Sequence, residues 1–311
     1  MNPLRLFTGR VALLGLLLIG GLLPTAHAQG NGPGDLLGQL EQDASKEAGP
    51  NQLVDATFKS TRLINGHTVQ TPGEGTLVFL IEHRFGKLND GAYALFGLDN
   101  AQIRLALEYG VTDRLEIGIG RSSLQKTLDG FAKYRLIRQS TGRGAMPVSV
   151  TLLGSAAVAT LRYADGVDRT LGLRTAYTYQ ALVARKFSTD FSLQLMPTLV
   201  HRNLVMSEGE KNDIYALGFG GRYKITKRLS FNAEYYALLT PYARERFNNA
   251  LALGVDIETG GHIFQLMVTN TSGMVERQFI AGDTNGNFFK GDIYFGFNVN
   301  RNFTLKQHRV K

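Results

Sequence analysis

The 311-residue sequence contains no cysteine and no tryptophan. Without cysteine, the chain forms no disulfide bond, carries no lipid on an N-terminal cysteine and offers no thiolate metal ligand. Without tryptophan, only tyrosine and phenylalanine can supply aromatic side chains at a membrane interface. Beyond the first 28 residues, no stretch approaches 18 consecutive apolar residues. A protein that crosses a membrane with helices is therefore excluded.

A large excess of one charge sign is also lacking. The chain has 34 lysine and arginine residues against 26 aspartate and glutamate residues, a formal net charge of +8. The basic residues are scattered among acidic ones rather than gathered in blocks, so the basic balance does not predict a nucleic-acid partner.

The first 28 residues have the pattern of a secretory signal peptide. Arg5 and Arg10 precede an apolar run, residues 11–23, and Ala26 and Ala28 form a small-residue cleavage site. The apolar run is about 13 residues, whereas a spanning helix needs roughly 20. We expect residues 1–28 to be removed and the remainder to be exported.

Residues 29–75 predict a periplasmic N-terminal extension. Residues 29–52 are rich in glycine, proline, asparagine and glutamine, which is typical of a linker, with a short helical pattern over residues 36–48. A strand-like stretch runs from Val54 to Ile64 and ends at Asn65 and Gly66. A helix plugging a barrel is the less favoured interpretation of this region.

From Thr76 onward, apolar residues recur at every second position. Tyr109, Val111, Leu115, Ile117 and Ile119 share one parity in "YGVTDRLEIGIG" (109–120). Such alternation is typical of strands with one apolar face. It predicts twelve segments, at approximately 76–85, 101–110, 115–122, 129–139, 148–161, 174–187, 191–203, 213–225, 229–239, 249–258, 262–271 and 290–305.

The connections fall into two alternating classes. Short turns such as "VTDR" at 111 and "ITKR" at 225 alternate with longer segments such as 86–100 and 272–289. Short periplasmic turns and longer outer loops are typical of outer-membrane barrels, and an even strand count returns both termini to the same side. A soluble β-sandwich would show the same alternation with its apolar face inside.

Three features favour the barrel over the sandwich. Glycines recur on the polar face, aromatic residues gather near the ends of the segments, and closure removes the exposed edges of a twelve-stranded sheet. The predicted fold class is therefore all-β: a closed antiparallel transmembrane β-barrel of about twelve strands over residues 76–311. Its expected location is the outer membrane of a Gram-negative bacterium.

Five stretches resemble a known family. "IEHRFG" (81–86), "LFGLDNAQIRLALEYGVTDRLEIGIGRS" (95–122), "DGFAKYRLIRQ" (129–139), "MPTLVHRNLV" (196–205) and "GDIYFGFNVNRNFTLK" (291–306) are similar to an uncharacterised family of bacterial outer-membrane β-barrels, a domain of unknown function. The resemblance runs from about Ala56 to Lys306. It implies a barrel in the outer membrane and supplies no activity, cofactor or catalytic residue.

Charged residues of the polar parity are the candidates for the barrel interior. The candidates are Glu82, Arg84, Arg104, Glu108, Glu116, Lys133, Arg135, Arg222, Lys224, Glu234, Asp256 and Asp292. Adjacent strands predict that Glu82 lies near Arg104, that Glu108 and Glu116 lie beside Lys133 and Arg135, and that Asp292 meets Arg84 across the closing seam. Since buried charges must be paired, a bracing network is favoured over a selective channel wall.

Motifs that carry chemistry are lacking. The histidines have no H-x-x-x-H spacing, no G-x-S-x-G motif is present, and "DTNGN" (283–287) lacks the glycine and glutamate of a calcium loop. We expect no enzyme, no cofactor and no metal.

Two functions remain open. The first is a narrow passive channel for small polar or anionic solutes, lined by Arg84, Arg104, Lys133, Arg135 and Arg222. The second is a non-conducting barrel that anchors or docks a periplasmic partner through residues 29–75 or 272–289; an outer-membrane lipid hydrolase is a remote third. The expected partners are outer-membrane lipid and, during insertion, the barrel-assembly machinery.

Overall fold

The computed structural model describes residues 50–162, 166–167, 169–205, 209–282 and 284–306. The predicted signal peptide and residues 29–49 of the predicted extension lie outside the described residues. Within the described part of the chain, no helix is long and apolar enough to cross a membrane.

Twelve of the described strands form a closed antiparallel barrel, as the sequence predicts. They are β2 (Thr76–Lys87), β3 (Ala101–Gly110), β4 (Leu115–Ser122), β5 (Leu128–Ile137), β7 (Ser149–Val158), β8 (Thr175–Lys186), β9 (Phe191–Arg202), β10 (Asp213–Lys224), β11 (Leu229–Leu238), β12 (Ala250–Thr259), β13 (His262–Thr269) and β14 (Tyr294–Thr304). Sequential strands pair, and β14 closes on β2.

The remaining elements are short and are not part of the barrel wall. Strands β1 (Gln52–Leu53) and β6 (Ser140–Thr141) pair with each other. The described helices are all short: Leu88–Asp90, Ala92–Gly97, Leu124–Lys126, Pro241–Arg246, Glu276–Phe279 and Phe288–Lys290.

The two ends of the barrel differ. At one end, the turn end, the connections 111–114, 187–190, 225–228 and 260–261 are tight, and 138–148 is the exception. At the opposite end, the loop end, 88–100, 159–174, 203–212, 239–249 and 270–293 are longer, although 123–127 is short. The predicted alternation of turns and loops is confirmed.

The apolar side chains face out. On β3, Ile103, Leu105 and Leu107 are 40%, 44% and 43% exposed, while Arg104 and Glu108, of the opposite parity, are 0% exposed. A soluble protein would bury the apolar set, because burial of apolar surface drives its folding. Exposed apolar side chains around a closed sheet with enclosed charges are the arrangement of a membrane-spanning barrel.

The N-terminal extension differs from its prediction. Residues 57–69 are buried inside the barrel, apart from half-buried Lys59, rather than lying in the periplasm. The predicted strand from Val54 to Ile64 is also wrong, since only Gln52–Leu53 of this region forms a strand. We call residues 57–70 the lumen segment.

The lumen segment folds as a hairpin over residues 61–68. The Leu63 N–H donates to the Gly66 carbonyl at 2.9 Å, and the Thr68 N–H donates to the Thr61 carbonyl at 2.9 Å. The segment enters through the turn end, where the Val54 N–H bonds the Gln139 carbonyl at 2.8 Å and Arg138 pairs with Asp55 at 2.7 Å.

A charge placed on the outer face should destabilise the barrel. We expect Leu105→Arg to lower the free energy of unfolding by about 2–4 kcal/mol, the cost of arginine facing the middle of a bilayer in such barrels. Urea titration of the protein folded into lipid vesicles measures it. Leu98→Arg, at a loop residue 48% exposed, is the control. Equal losses for the two variants would contradict the outward orientation of β3.

Candidate functional site

The alternation of side chains along the strands brings most of the predicted interior charges together. Nine are at most 4% exposed: Glu82, Arg84, Arg104, Glu108, Glu116, Lys133, Arg222, Glu234 and Asp256. Arg135 is 9% exposed and lies near the turn end, where its guanidinium reaches the Thr71 carbonyl at 3.4 Å.

Two of the twelve lie elsewhere. Lys224 ends β10 at the turn end and pairs with Asp190 at 3.6 Å. Asp292 lies in the 270–293 loop and bonds Lys87 at 3.2 Å and Asn89 at 3.0 Å, so the predicted contact with Arg84 is wrong. Hydrogen bonds from Asn89, the Asn287 backbone and Lys87 lower the pKa of Asp292 to about 2.

Some interior charges pair within the wall. Arg104 bonds Glu82 on β2 and holds both oxygens of Asp129 on β5, at 3.0 and 2.6 Å. Lys133 pairs with Glu116 at 2.9 Å across the β4–β5 register. These pairs follow from strand adjacency, which is why the sequence predicts the contacts of Arg104 with Glu82 and of Lys133 with Glu116.

Other interior charges bind the lumen segment instead. Glu234 accepts three backbone N–H groups at the hairpin tip, from Ile64 at 3.3 Å, Asn65 at 3.3 Å and Gly66 at 3.0 Å. A Cβ added at Gly66 would lie 2.1 Å from the Tyr236 hydroxyl, so only glycine fits there. The carboxylate and the ring together fix the tip against β11.

Polar side chains from most of the barrel wall complete the attachment. Glu108 accepts from the Thr61 hydroxyl at 2.5 Å, and Arg84 donates to the Asn65 side chain at 3.0 Å. Five wall side chains also bond the main chain of the segment. Gln194 accepts from the Val69 N–H at 2.9 Å and donates to the His67 carbonyl at 2.8 Å. The other four donate to carbonyls: Thr151 to Val69 (3.0 Å), Lys133 to Gln70 (2.6 Å), Gln265 to Leu63 (2.9 Å) and Asn298 to Ile64 (2.9 Å).

One side of the lumen is apolar. Phe58, Leu63 and Val69 of the segment pack in a cluster with Leu182, Met196, Val200, Ile214 and Tyr236 of the wall. Phe279 and Ile280 of the 270–293 loop belong to the same cluster. The lumen is therefore filled from both ends, by the segment from the turn end and by this loop from the loop end.

The two fillings meet at Glu276. Its Oε1 lies 3.6 Å from Arg62 Nη1 and 3.6 Å from His67 Nε2. Burial, and after it the charge of Arg62, lowers the pKa of His67 well below its ordinary value. Burial also raises the pKa of Glu276, against the opposing effect of Arg62. No spacing in the sequence predicts this contact between residues 62, 67 and 276.

Several buried polar atoms where the lumen segment meets the wall and the 270–293 loop have no hydrogen-bond partner among the described residues. They include Arg62 Nε, His67 Nδ1, Asn65 Nδ2, Arg84 Nε, Glu108 Oε1 and Glu276 Oε1. Leaving a buried polar group unsatisfied costs about 1–3 kcal/mol. The contact between segment and wall is thus less completely satisfied than the strand ladder around it.

No group of three or more histidine, aspartate or glutamate side chains within the described ranges could hold a metal ion. Asp283 of the "DTNGN" stretch lies outside those ranges, and Asn287 caps the helix Phe288–Lys290 by accepting from the Phe289 N–H at 3.0 Å.

The fold and the enclosed charges define a membrane-bound β-barrel whose lumen is occupied by its own N-terminal segment. Residues 58–303 match the family model described as "Membrane bound beta barrel domain (DUF5777)", and the chain belongs to this family. The match begins inside the lumen segment and ends in β14. The resemblance recognised in the sequence is confirmed.

Solved structures with a similar course of the chain are outer-membrane barrels. The NanC porin has a TM-score of 0.47 at 9% identity, covering 74% of this chain and 100% of its own. The KdgM porin has a TM-score of 0.44 at 11% identity, and the match covers 73% of this chain and 99% of the porin. An outer membrane channel from Pseudomonas putida F1 has a TM-score of 0.43 at 15% identity, and the match covers 75% of this chain and 96% of the channel. A search of curated proteins found no significant match.

The attachment of the hairpin tip can be measured with a single thiol, because the chain has no cysteine. In a Val69→Cys background, Glu234→Leu removes the acceptor of three N–H groups. At about 1–3 kcal/mol per unsatisfied donor, we expect labelling by a soluble maleimide to be at least about tenfold faster. Asp129→Asn, which alters a wall–wall pair, should leave the rate unchanged. Equal rates in all three proteins would contradict the attachment.

The same assay tests the pH dependence of docking. The pKa of His67 is lowered in the docked segment, so His67 takes up a proton more readily when the segment is displaced. His67 therefore weakens docking as the pH falls below the ordinary histidine pKa near 6.5. The raised pKa of Glu276 acts in the opposite direction, since it weakens docking as pH rises. Normalised to labelling of a free thiol at the same pH, which slows as the thiolate is protonated, labelling should therefore accelerate between about pH 7.5 and about pH 5.5 more in the unaltered segment than in His67→Gln. A smaller acceleration than in His67→Gln would contradict this.

Proposed function

We propose that the protein is a channel in the outer membrane of a Gram-negative bacterium, closed by its own lumen segment, which passes small polar or anionic solutes when the segment leaves the lumen. The observation that carries this proposal is that the barrel strands and the lumen segment use separate sets of hydrogen bonds. The strands pair with one another around the complete ring. The segment binds wall side chains, so its departure breaks none of the ladder bonds.

The contacts of the segment favour displacement over permanent filling. They are largely hydrogen bonds to polar side chains, and several atoms remain unsatisfied. Water entering the lumen can satisfy those atoms, so departure costs less than the loss of an equally large apolar core. The apolar packing of Phe58, Leu63 and Val69 opposes departure and keeps the closed state populated.

Charge at the loop end supports anionic solutes. A cavity of about 470 Å³ lies there beside the filled lumen. Among the described residues that line it, one acidic side chain, Glu210, faces five basic ones: Lys87, Arg174, Arg202, Arg246 and Arg277. Basic walls raise the local concentration of anions. Deeper in the barrel, the wall charges are nearly balanced, which favours selection there by size.

The non-conducting anchor has less support. Of its two proposed docking regions, residues 57–69 are largely buried in the lumen, and residues 274–281 of the 270–293 loop are largely buried as well. A segment engaged by its own barrel is not available to a periplasmic partner. The described part of the predicted extension left outside the lumen is short, residues 50–56 and 71–75.

Planar-bilayer conductance of the refolded protein tests the proposal. We expect rare openings in the wild type and openings about tenfold more frequent in Glu234→Leu, whose hairpin tip has lost its acceptor. Asp129→Asn should resemble the wild type. A variant lacking residues 50–72 should open more often still, because only the 270–293 loop then fills the lumen.

The contradicting result is electrical silence. If the wild type, Glu234→Leu and the deletion variant all fold, judged by heat-modifiable mobility on gels, and none conducts, the barrel is not a channel. The anchoring function would then replace it.

A further inference from the structure

The outward face of the barrel has a groove where two small residues meet. Gly221 on β10 and Ala233 on β11 are register partners, and Leu193 on β9 lies on the other side of Gly221. Elsewhere the outward positions of these strands carry large side chains such as Phe219 and Tyr223. The gap forms a groove of about 490 Å³.

The walls of the groove are almost wholly apolar. Its outward-facing lining includes Val183, Leu193, Leu195, Phe219, Tyr235 and Leu251. Tyr235 is held in place, since its hydroxyl accepts from Asn249 Nδ2 at 2.7 Å. In a membrane-bound barrel this face meets hydrocarbon, so a groove of this kind accepts an acyl chain rather than a polar solute.

One cation lies at the β8 side of the groove, level with Leu193 and Gly221 and one residue before β8 ends. Arg185, on β8, is the register partner of Leu193 and lines the groove. Its guanidinium carbon lies 5.2 Å from the centre of the Phe187 ring. It is exposed and forms no ion pair within the part of the chain that the structure describes. Its charge is therefore directed at the membrane interface without a protein carboxylate to neutralise it.

We propose that this groove is a binding site for one phospholipid, with an acyl chain between Gly221 and Ala233 and the phosphate on Arg185. Arginine binds phosphate through two parallel N–H donors, and the aromatic ring beneath it holds the guanidinium plane. The site faces the leaflet at the turn end, where the barrel termini lie. The inference depends on the membrane-bound fold and not on conduction.

A second arginine provides a matched comparison. Arg301 on β14 also points outward near the turn end, and its guanidinium carbon lies 4.9 Å from the centre of the Phe303 ring. Arg301 does not line the groove. The two arginines thus share charge, face and aromatic support, and differ in the apolar groove beside them.

Native mass spectrometry of the full barrel tests the site. The protein is purified in a mild non-ionic detergent, stripped of lipid and mixed with phosphatidylglycerol. We expect one tightly retained phospholipid per barrel, about tenfold weaker retention in Arg185→Gln, and loss of it in Ala233→Leu, which fills the groove. Arg301→Gln, and Ala156→Leu on the outward face of β7, should bind as the wild type does.

Three results would overturn the site. The first is equal retention in Arg185→Gln, Ala233→Leu and the two controls. The second is occupancy by detergent only, with no phospholipid retained. The third is a dimer that Ala233→Leu abolishes, which would assign the groove to a second copy of the chain. All four variants are compared only after heat-modifiable mobility shows that they fold.

Discussion

The structure depends on one constraint: a closed sheet with hydrocarbon outside encloses its polar face, and enclosed charges need partners. Water supplies these partners in a wide barrel, and side chains fill a narrow one. This twelve-stranded barrel is intermediate, and its own lumen segment fills it. Residues 57–70 bring backbone N–H and carbonyl groups to wall residues such as Glu234 and Gln194, which have no complete set of partners in the wall.

The segment and the 270–293 loop form one filling in two parts. Glu276 joins them through Arg62 and His67, and the apolar cluster around Tyr236 includes residues of both. The two ends of the lumen are therefore linked by direct contacts, and the lowered pKa of His67 and the raised pKa of Glu276 predict that these contacts depend on pH.

The barrel could be predicted from the sequence because alternation along a strand has a fixed period of two. Strands β3 and β4 begin and end where the alternation does. The alternation predicts a last strand from residue 290, but the helix Phe288–Lys290 and left-handed Gly291 precede it, so the strand begins at Tyr294. Asp292 consequently lies in the loop beside Lys87 and Asn89, away from Arg84.

The lumen segment could not be predicted in the same way, since alternation does not distinguish a strand in the periplasm from a hairpin inside a barrel. One local signal was available: Asn65 and Gly66 are typical of a tight turn, and here they form the turn of the hairpin in which Thr61 pairs with Thr68 and Leu63 with Gly66. Wall–wall pairs such as Glu116 with Lys133 follow from strand adjacency. The contacts of Glu234 and Glu276 join distant parts of the chain and have no such signal.

Hydrogen exchange of the folded barrel in micelles tests the enclosed segment most directly. Residues 61–69 are not part of the barrel sheet, yet their amides bond to buried wall groups and to each other. We predict that a peptide covering residues 57–70 exchanges far more slowly than the exposed loop at 88–97, and faster than one from β10 or β11, because the segment can leave the lumen while the sheet stays intact. Exchange as fast as that of the exposed loop at 88–97 would show that the lumen segment does not occupy the barrel, and would contradict the account.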